Sequence, residues 1–384
     1  MTTDQSRTFD RAEPRPILLV HAPERGRRLL DQLAGRRPLF VCTVAHTETA
    51  EIDGLSGAGA TAELRRLTAA ADVEALFHGR PLCIAGVPSN PGGAPGPVII
   101  TLAGLRLSGV GVVAIDAGLR VKPDAPTTVV AERWGASIVT GRAVPNAQSL
   151  FATGLAMAPR YASDADYLVL AESVPGGTTT ALSLLCGLGI DAWGKVSSSM
   201  PQNAHPLKTA VVKQALAAAG LDGARPQASP LEVVAAVGDP MQPFVAGLAI
   251  GAMKQQTPVL LAGGSQMAAV LALMVALDRT QGRAVDLDRI GIATTSWVAR
   301  DPTADLAGLV AQIADVPVFA SDLNFAESRH VPLRRYEDFL VKEGVGAGAA
   351  AVVAALLTNA DHALLLSTIE RVYEEIYGLD VTAS

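Results

Sequence analysis

Aromatic residues are scarce in this chain of 384 residues: Phe, Trp and Tyr together make up 4%. Small and aliphatic residues take their place. That composition suits tight helix-on-sheet packing and argues against an aromatic-rich binding surface. Cysteine is rarer still. Cys42, Cys83 and Cys186 stand far apart in apolar runs. They have neither the spacing of a zinc site nor the pairing of a disulfide framework, and read as buried thiols in a reducing compartment. There is no dense Lys/Arg stripe, and the formal charge is −6, so nucleic acid is not an expected partner. The first ten residues are polar and lack the apolar centre of a signal peptide. No uninterrupted apolar run reaches the length of about 18 residues that would suggest a membrane span. The expectation is a soluble, cytoplasmic protein with no metal and no cofactor.

What the chain does have is a carboxylate set between a strand and a glycine turn. Tyr167-Leu-Val-Leu-Ala171 is a short apolar run, read as a buried strand. Glu172-Ser-Val-Pro-Gly-Gly-Thr-Thr-Thr-Ala181 follows, and Leu182–Cys186 reads as a helix. A helix start with free backbone N–H groups and the helix dipole behind it favours a phosphate. The plain alternative is a strand-to-helix turn capped by threonine. A second stretch has the same plan: Lys342-Glu343-Gly-Val-Gly-Ala-Gly-Ala349. Lys208 lies in the first turn of a predicted helix, Leu207–Ala219, where a cation opposes the helix dipole unless it meets an anion. Its alternative is a lysine facing solvent.

Strands are expected at 16–21, 39–44, 82–85, 109–116, 137–140, 167–171, 195–200, 257–262, 290–295 and 318–322. Helices fall between most of them, and Leu333–Val341, the Glu343 loop and two helices, Ala347–Leu357 and Leu364–Tyr377, complete the chain. No hairpin signal interrupts the alternation. The pattern predicts an α/β fold, a doubly wound, mostly parallel sheet with helices on both faces and a smaller lobe from the chain ends. By segment, 1–14 is expected to be a disordered tail and 15–97 an N-terminal α/β part. Residues 98–340 form the core doubly wound domain, and 341–380 a catalytic-loop and helical segment packing on it. The Gly-rich stretch 52–61 reads equally as a surface loop or as part of the site's closure. The Pro/Gly-rich stretch 88–97 reads as a lid or a long connection. In such sheets ligands bind at the carboxyl ends of strands, where the loops 172–180, 238–240, 263–266 and 343–348 are expected to converge.

These residues resemble the nicotinate-nucleotide:dimethylbenzimidazole phosphoribosyltransferases of cobalamin lower-ligand assembly, and more closely their divergent branch from archaea and cyanobacteria. Glu172 with Gly176, Gly177, Thr178 and Thr179 is similar to the family's Glu-Met-Gly-Ile-Gly-Asn-Thr-Thr block. Pro230–Gly238, Val245–Gly251 and Pro258–Gly263 follow the family's order. Glu343-Gly-Val-Gly-Ala347 is similar to the Glu-Gly-Thr-Gly-Ala block that carries the family's catalytic base. Lys208 is similar to its phosphate-binding lysine. The likeness covers roughly residues 105–360. Gly177 stands where the family has Asn. The family's N-terminal Asp-His-Gly-Val segment has no clear counterpart, and Thr294-Thr-Ser-Trp297 replaces its Ser-His block.

The resemblance implies transfer of a 5-phosphoribosyl group from nicotinate mononucleotide to an aromatic nitrogen base of benzimidazole or purine type. It also implies a homodimer, an expectation that the low charge and the Ala/Gly-rich helices share. The donor carries a pyridinium, so nicotinate leaves without a general acid. Glu343 is the expected base and Glu172 its electrostatic partner; the two would repel and raise the pKa of one. On that picture removing Glu172 lowers the pKa of Glu343. Gly176, Gly177, Thr178, Thr179, Lys208, Gly263, Gly264, Gly344 and Gly346 are the candidate substrate- and phosphate-binding residues. Two alternatives stand beside this reading. A pyrophosphate-donor, Mg-dependent phosphoribosyltransferase places two adjacent acids before its loop, and only Glu172 is present here. A catalytically silent nucleotide-binding protein would not need both glutamates.

Overall fold

A computed structural model describes residues 16–200, 202–223, 228–280 and 286–379. The expected tail at 1–14 lies outside them. Eight strands form one sheet: β1 (Ile17–His21), β2 (Pro38–Val44), β3 (Val112–Asp116), β4 (Thr128–Val129), β5 (Tyr167–Ser173), β6 (Val259–Ala262), β7 (Ile290–Thr295) and β8 (Val318–Ser321). Their order is β1-β8-β7-β6-β5-β2-β3-β4. Every pairing is parallel except β1 with β8 at one edge. The sheet takes strands from both the 15–97 and the 98–340 stretches, so these share one sheet.

The sheet is covered on both sides, which is why its central strands carry apolar residues at nearly every position. All seven positions of β5 are buried. On one face lie the helices Ala147–Ser163, Gly177–Gly187, His205–Ala218, Pro230–Val237, Met241–Lys254, Ser265–Thr280 and Leu306–Ile313. On the other lie Pro23–Leu33, Ala62–His78, Val98–Ser108, Ala347–Thr358 and His362–Tyr377.

Glycine explains how these helices pack so closely without aromatic filling. A Cβ on Gly247 would come within 2.2 Å of the Phe151 carbonyl oxygen, and one on Gly154 within 2.2 Å of that of Phe244. The helices Ala147–Ser163 and Met241–Lys254 therefore meet backbone to backbone.

Three expected strands are not strands. Residues 82–85 form turns because the Glu74 carboxylate holds the Leu82 and Cys83 amides out of any ladder. Ile138–Thr140 is a single 3₁₀ turn that Gly141 ends in the left-handed region. Residues 195–200 are an irregular loop whose backbone carbonyls are taken by lysine side chains. The short strand β4 is not among those expected, and a short helix, Val331–Arg334, precedes the Glu343 loop.

The strand order fixes where a ligand can enter. From β2 the chain moves outward to β3 and β4; from β5 it moves the other way, through β6 and β7 to β8. The direction reverses between β2 and β5, and a crevice opens at the carboxyl ends of adjacent strands whose connections part company. Glu172 is the residue before the last of β5.

Candidate active site

A cavity lies at this reversal point. It encloses about 720 Å³ including its open mouth, and is lined by residues of the 55–58, 88–97, 172–178 and 341–345 segments. A second cavity of about 370 Å³ adjoins it. Both are walled by Glu172, Thr178, Ser198, Ser199, Gln266 and Glu343. The structure thus brings the two glutamates to one chamber, although 171 positions separate them in the chain.

Glu172 is held at the end of β5. Its Oε2 accepts a hydrogen bond from the Val174 amide at 3.0 Å and from Gln266 Nε2 at 2.6 Å. Gln266 comes from the helix that follows β6, delivered by the Gly263–Gly264 turn. A Cβ on Gly177 would meet the Gln266 amide nitrogen at 2.3 Å. Glycine there is what lets Gln266 reach Glu172. Gly176, with φ 77°, brings the turn within contact of Ala50.

Glu343 is held by a different device. Its Oε1 accepts from the Gly344 and Gly348 amides at 3.1 and 3.3 Å, and its Oε2 from Thr294 Oγ1 at 3.1 Å. The loop beyond it runs through positive φ at Gly344, Val345 and Gly346, at 151°, 56° and 66°. A β-branched residue in the left-handed region is strained by about 1–3 kcal/mol and persists only where its surroundings over-determine it. Here they do. The Val345 amide donates to the Glu172 carbonyl at 2.9 Å, and Thr101 Oγ1 donates to the Val345 carbonyl at 3.0 Å. The loop carrying one glutamate is therefore pinned to the backbone of the other.

The electrostatics follow from burial. Burial pushes the Glu343 carboxyl up to about 7, against the amide and hydroxyl donors that favour its charge. Glu172 goes further, to about 8: burial acts first, and the charges of Asp239 and Glu343 add to it. Burial is the first cause for both glutamates, and the charge of Glu343 adds to it at Glu172. Asp239 stands behind Glu172; burial lifts it to about 6, while Thr180 Oγ1 donates to its Oδ2 at 2.5 Å.

Positive charge comes from two buried lysines. Lys208 does not face solvent. It is fully buried, and its Nζ donates to Thr178 Oγ1 at 3.0 Å and to the Ser197 carbonyl at 2.8 Å. Burial, helped by Lys342, lowers its pKa to about 7. Lys342 reaches the same loop from the other side. Its Nζ donates to the Ser198 carbonyl at 2.8 Å and pairs with Asp301 at 2.9 Å. Asp301 Oδ2 also accepts from Ser197 Oγ at 2.7 Å. The 197–199 stretch is thereby held between two ammonium groups.

The other candidate positions divide. Gly176, Gly177, Thr178, Gly264 and Gly344 line one or both cavities. Lys208 lines neither and acts through Thr178 and Ser197. Gly263 (φ 156°) makes the turn that presents Gly264. Thr179 is fully buried, in the helix Gly177–Gly187. Gly346 is packed on the sheet, where a Cβ would lie 2.7 Å from that of Ala171. The 88–97 stretch is a wall, not a loose lid: Asn90 donates to the Leu340 carbonyl at 2.8 Å and accepts from the Ala94 amide at 3.0 Å. The 52–61 loop joins the site as well, Ser56 Oγ accepting from the Gly176 amide at 3.2 Å. Sequence reading assigns no role to Gln266, Thr294, Lys342 or Asp301. Thr294 sits in the block where the resemblance fails, and Lys342 directly precedes Glu343; both positions are signals.

Known proteins fit this geometry. A family model described as phosphoribosyltransferase matches residues 96–282. A UPF0284 protein of Gloeobacter violaceus is 47% identical over 360 residues, 92% of each chain. One from Methanothermobacter thermautotrophicus is 43% identical over 330 residues, covering 85% of this chain and 90% of its own. Among solved structures, the nicotinate-nucleotide–dimethylbenzimidazole phosphoribosyltransferase of Thermus thermophilus shares the fold with a TM-score of 0.54 at 18% identity, over 94% of this chain and 92% of that one. A structure described as CobT from the same organism gives 0.57 at 18% identity, over 94% and 93%. The chain belongs to the UPF0284 family and shares the fold of the two Thermus thermophilus structures.

Proposed function

We propose that the protein transfers 5-phosphoribosyl from nicotinate mononucleotide to an aromatic nitrogen base, releasing nicotinate, in lower-ligand assembly for cobalamin. The observation that carries this reading is the pair of buried glutamates held at one chamber, with one carboxyl tuned to about 7. A general base works best when its pKa lies near the operating pH.

In the reaction the bond from C1′ to the pyridinium nitrogen breaks, and its electron pair stays on the departing nicotinate. A ring nitrogen of the acceptor forms the new bond to C1′. The other nitrogen of an imidazole-type ring loses its proton to Glu343. Glu172, anchored by Gln266 and Val174, faces the positive charge that develops at C1′. The donor phosphate is assigned to the end walled by Thr178 and Ser197–Ser199, with Lys208 and Lys342 behind it. The acceptor is assigned to the larger cavity. Cytoplasmic location and a homodimer belong to the same proposal. The small-residue helices do not support the dimer, since Met241–Met253 is buried within the protomer; the resemblance to the transferases is what motivates it. Among the described residues, no helix is long and apolar enough to cross a membrane.

The test is chromatography. Purified protein with nicotinate mononucleotide and a panel of bases should yield free nicotinate and a base riboside phosphate in equal amounts. Absence of nicotinate with every base, or a requirement for phosphoribosyl pyrophosphate, would overturn the reading.

A further inference from the structure

Asp72 lies on the helix Ala62–His78, is 4% exposed, and lines the larger cavity. Its Oδ2 accepts from Ser173 Oγ at 2.7 Å. Its Oδ1 is buried and has no partner. Among the described residues, no other side chain lining either cavity carries a buried polar atom without a hydrogen bond. Its neighbours on the same wall are all satisfied. Asn90 is spent on Leu340 and Ala94, Thr68 Oγ1 donates to the Ala58 carbonyl at 2.8 Å, and Ser56 accepts from backbone amides.

The contrast with Glu74, two positions along the helix, is informative. Glu74 is also buried, but its two oxygens take the Leu82, Cys83 and Asp124 amides at 2.7, 2.8 and 3.0 Å. Glu74 is a structural carboxylate with its valences filled. Asp72 is not. One hydroxyl does not offset the cost of burying a carboxylate, and burial accordingly lifts this group to about 7. A protein that keeps such a group in a cavity wall leaves the missing donor to whatever enters the cavity.

We propose that Asp72 is a specificity residue for the acceptor, its free Oδ1 accepting a hydrogen bond from an N–H on the edge of the base remote from the attacking nitrogen. This rests on the phosphoribosyl-transfer reading and deepens it. The acceptor it selects is an amino-substituted heteroaromatic of the aminopurine class. A ring bearing only methyl groups at that edge would leave the carboxyl unpaired and desolvated. A site built to hydrogen-bond a substrate N–H discriminates strongly against the analogue that lacks it.

Adenine and purine differ by one amino group and provide the probe. The parent protein should favour adenine over purine by about 10- to 100-fold in kcat/KM, the worth of a hydrogen bond to a charged acceptor. In Asp72→Ala the ratio should collapse to near one. Asp72→Asn presents an amide N–H to the cavity, and should favour hypoxanthine, whose edge carries a carbonyl, over adenine. Calorimetric binding of the three bases to the same proteins should follow the same order without any turnover. Nicotinate release with some base but an adenine-to-purine ratio near one in the parent would overturn the Asp72 assignment and leave the transferase reading standing. No release with any base would overturn the transferase reading, and the binding order would then decide Asp72. The parent comparison needs no variant, so a variant that fails to fold does not spare the proposal.

Discussion

Replacing Glu343 by Gln tests the chemistry with little disturbance to the structure. The amide oxygen can keep both backbone donors now on Oε1, from Gly344 and Gly348. Thr294 Oγ1, which donates to Oε2 at 3.1 Å, can rotate to accept from the new amide nitrogen. The one contact made worse is the 3.3 Å approach of the Gly348 amide to Oε2, already at the weak end of hydrogen bonding. The fold and the Val345 anchor should survive, and basicity alone is lost. Single-turnover nicotinate release at saturating donor and base should then fall by roughly 10²–10⁴. In the parent the rate should rise with pH through about 7, because Glu343 must lose its proton to act and burial holds it there. The companion variant, Glu172→Gln, should leave that limb near 7. Burial and the donors around Glu343 set where its carboxyl lies, and the charge of Glu172 is not among the leading causes. The rate of Glu172→Gln should drop by less than that of Glu343→Gln, and its limb should not move. Stopped reactions at intervals across the neutral range, resolved by chromatography, suffice. A Glu343→Gln protein within a few-fold of the parent would remove Glu343 from the mechanism. A limb that shifts strongly in Glu172→Gln would mean that Glu172 is already charged when the base ionises.

Lys208→Met keeps the buried stem and removes the charge; donor affinity should weaken by about 10- to 100-fold, and the phosphate-free riboside should be nearly unaffected, a difference that titration calorimetry reads directly. Because Lys208 sits at about 7 when the site is empty, binding of the phosphate should take up a proton above that pH, visible as a dependence of the binding heat on the buffer's ionisation enthalpy. Thermal stability of the unliganded protein should fall as pH rises from about 5 to about 8. Glu172, Glu343, Asp72 and Asp239 have folded pKa values of about 8, 7, 7 and 6, above their unfolded values. The folded state therefore holds the extra protons in this window, and the stability they confer is lost as each titrates. Glu172→Gln should flatten that slope, and an unchanged slope in a melting series would refute the assignment. Gly247→Val would drive a Cβ to 2.2 Å from the Phe151 carbonyl and should cost more than ~3 kcal/mol in denaturant unfolding.

The fold was legible where local pattern and tertiary role coincide. The strands β5, β6 and β7 are buried on both faces, so their apolar runs could be read directly. The pattern misled at residues 195–200, where three serines stand between Val196 and Met200. The loop carbonyls are claimed by Lys208 and Lys342, and nothing local announces a lysine arriving 144 residues later. The glycines were legible as turns but not as spaces. Gly177 looked like a departure from the family's asparagine, yet it is what admits Gln266 to Glu172. Glu343 could be picked out from its glycines, whereas the strained Val345 that ties its loop to β5 could not, because a positive φ at valine contradicts its local preference.

That contradiction is itself informative about function. Local preference and global fold usually agree, and they part where a site needs a geometry the chain would not choose. Here the disagreements gather around one chamber: a valine in the left-handed region, two buried lysines and three carboxyls with raised pKa values lining its wall. None of them strengthens the fold on its own. A lysine buried beside a second lysine, and a glutamate buried beside two further carboxyls, are unfavourable in an empty site. A ligand with a phosphate at one end and a developing cation at its centre meets these groups with opposite charges in the right order. Occupancy should therefore stabilise this protein more than its contact area alone suggests. The excess should vanish in Lys208→Met for the phosphate, and in Glu172→Gln for a cationic mimic of the transition state. Melting temperatures of the parent and the two variants, with and without each ligand, measure both. If the two ligands stabilise all three proteins alike, the charges at the chamber are not arranged for this substrate.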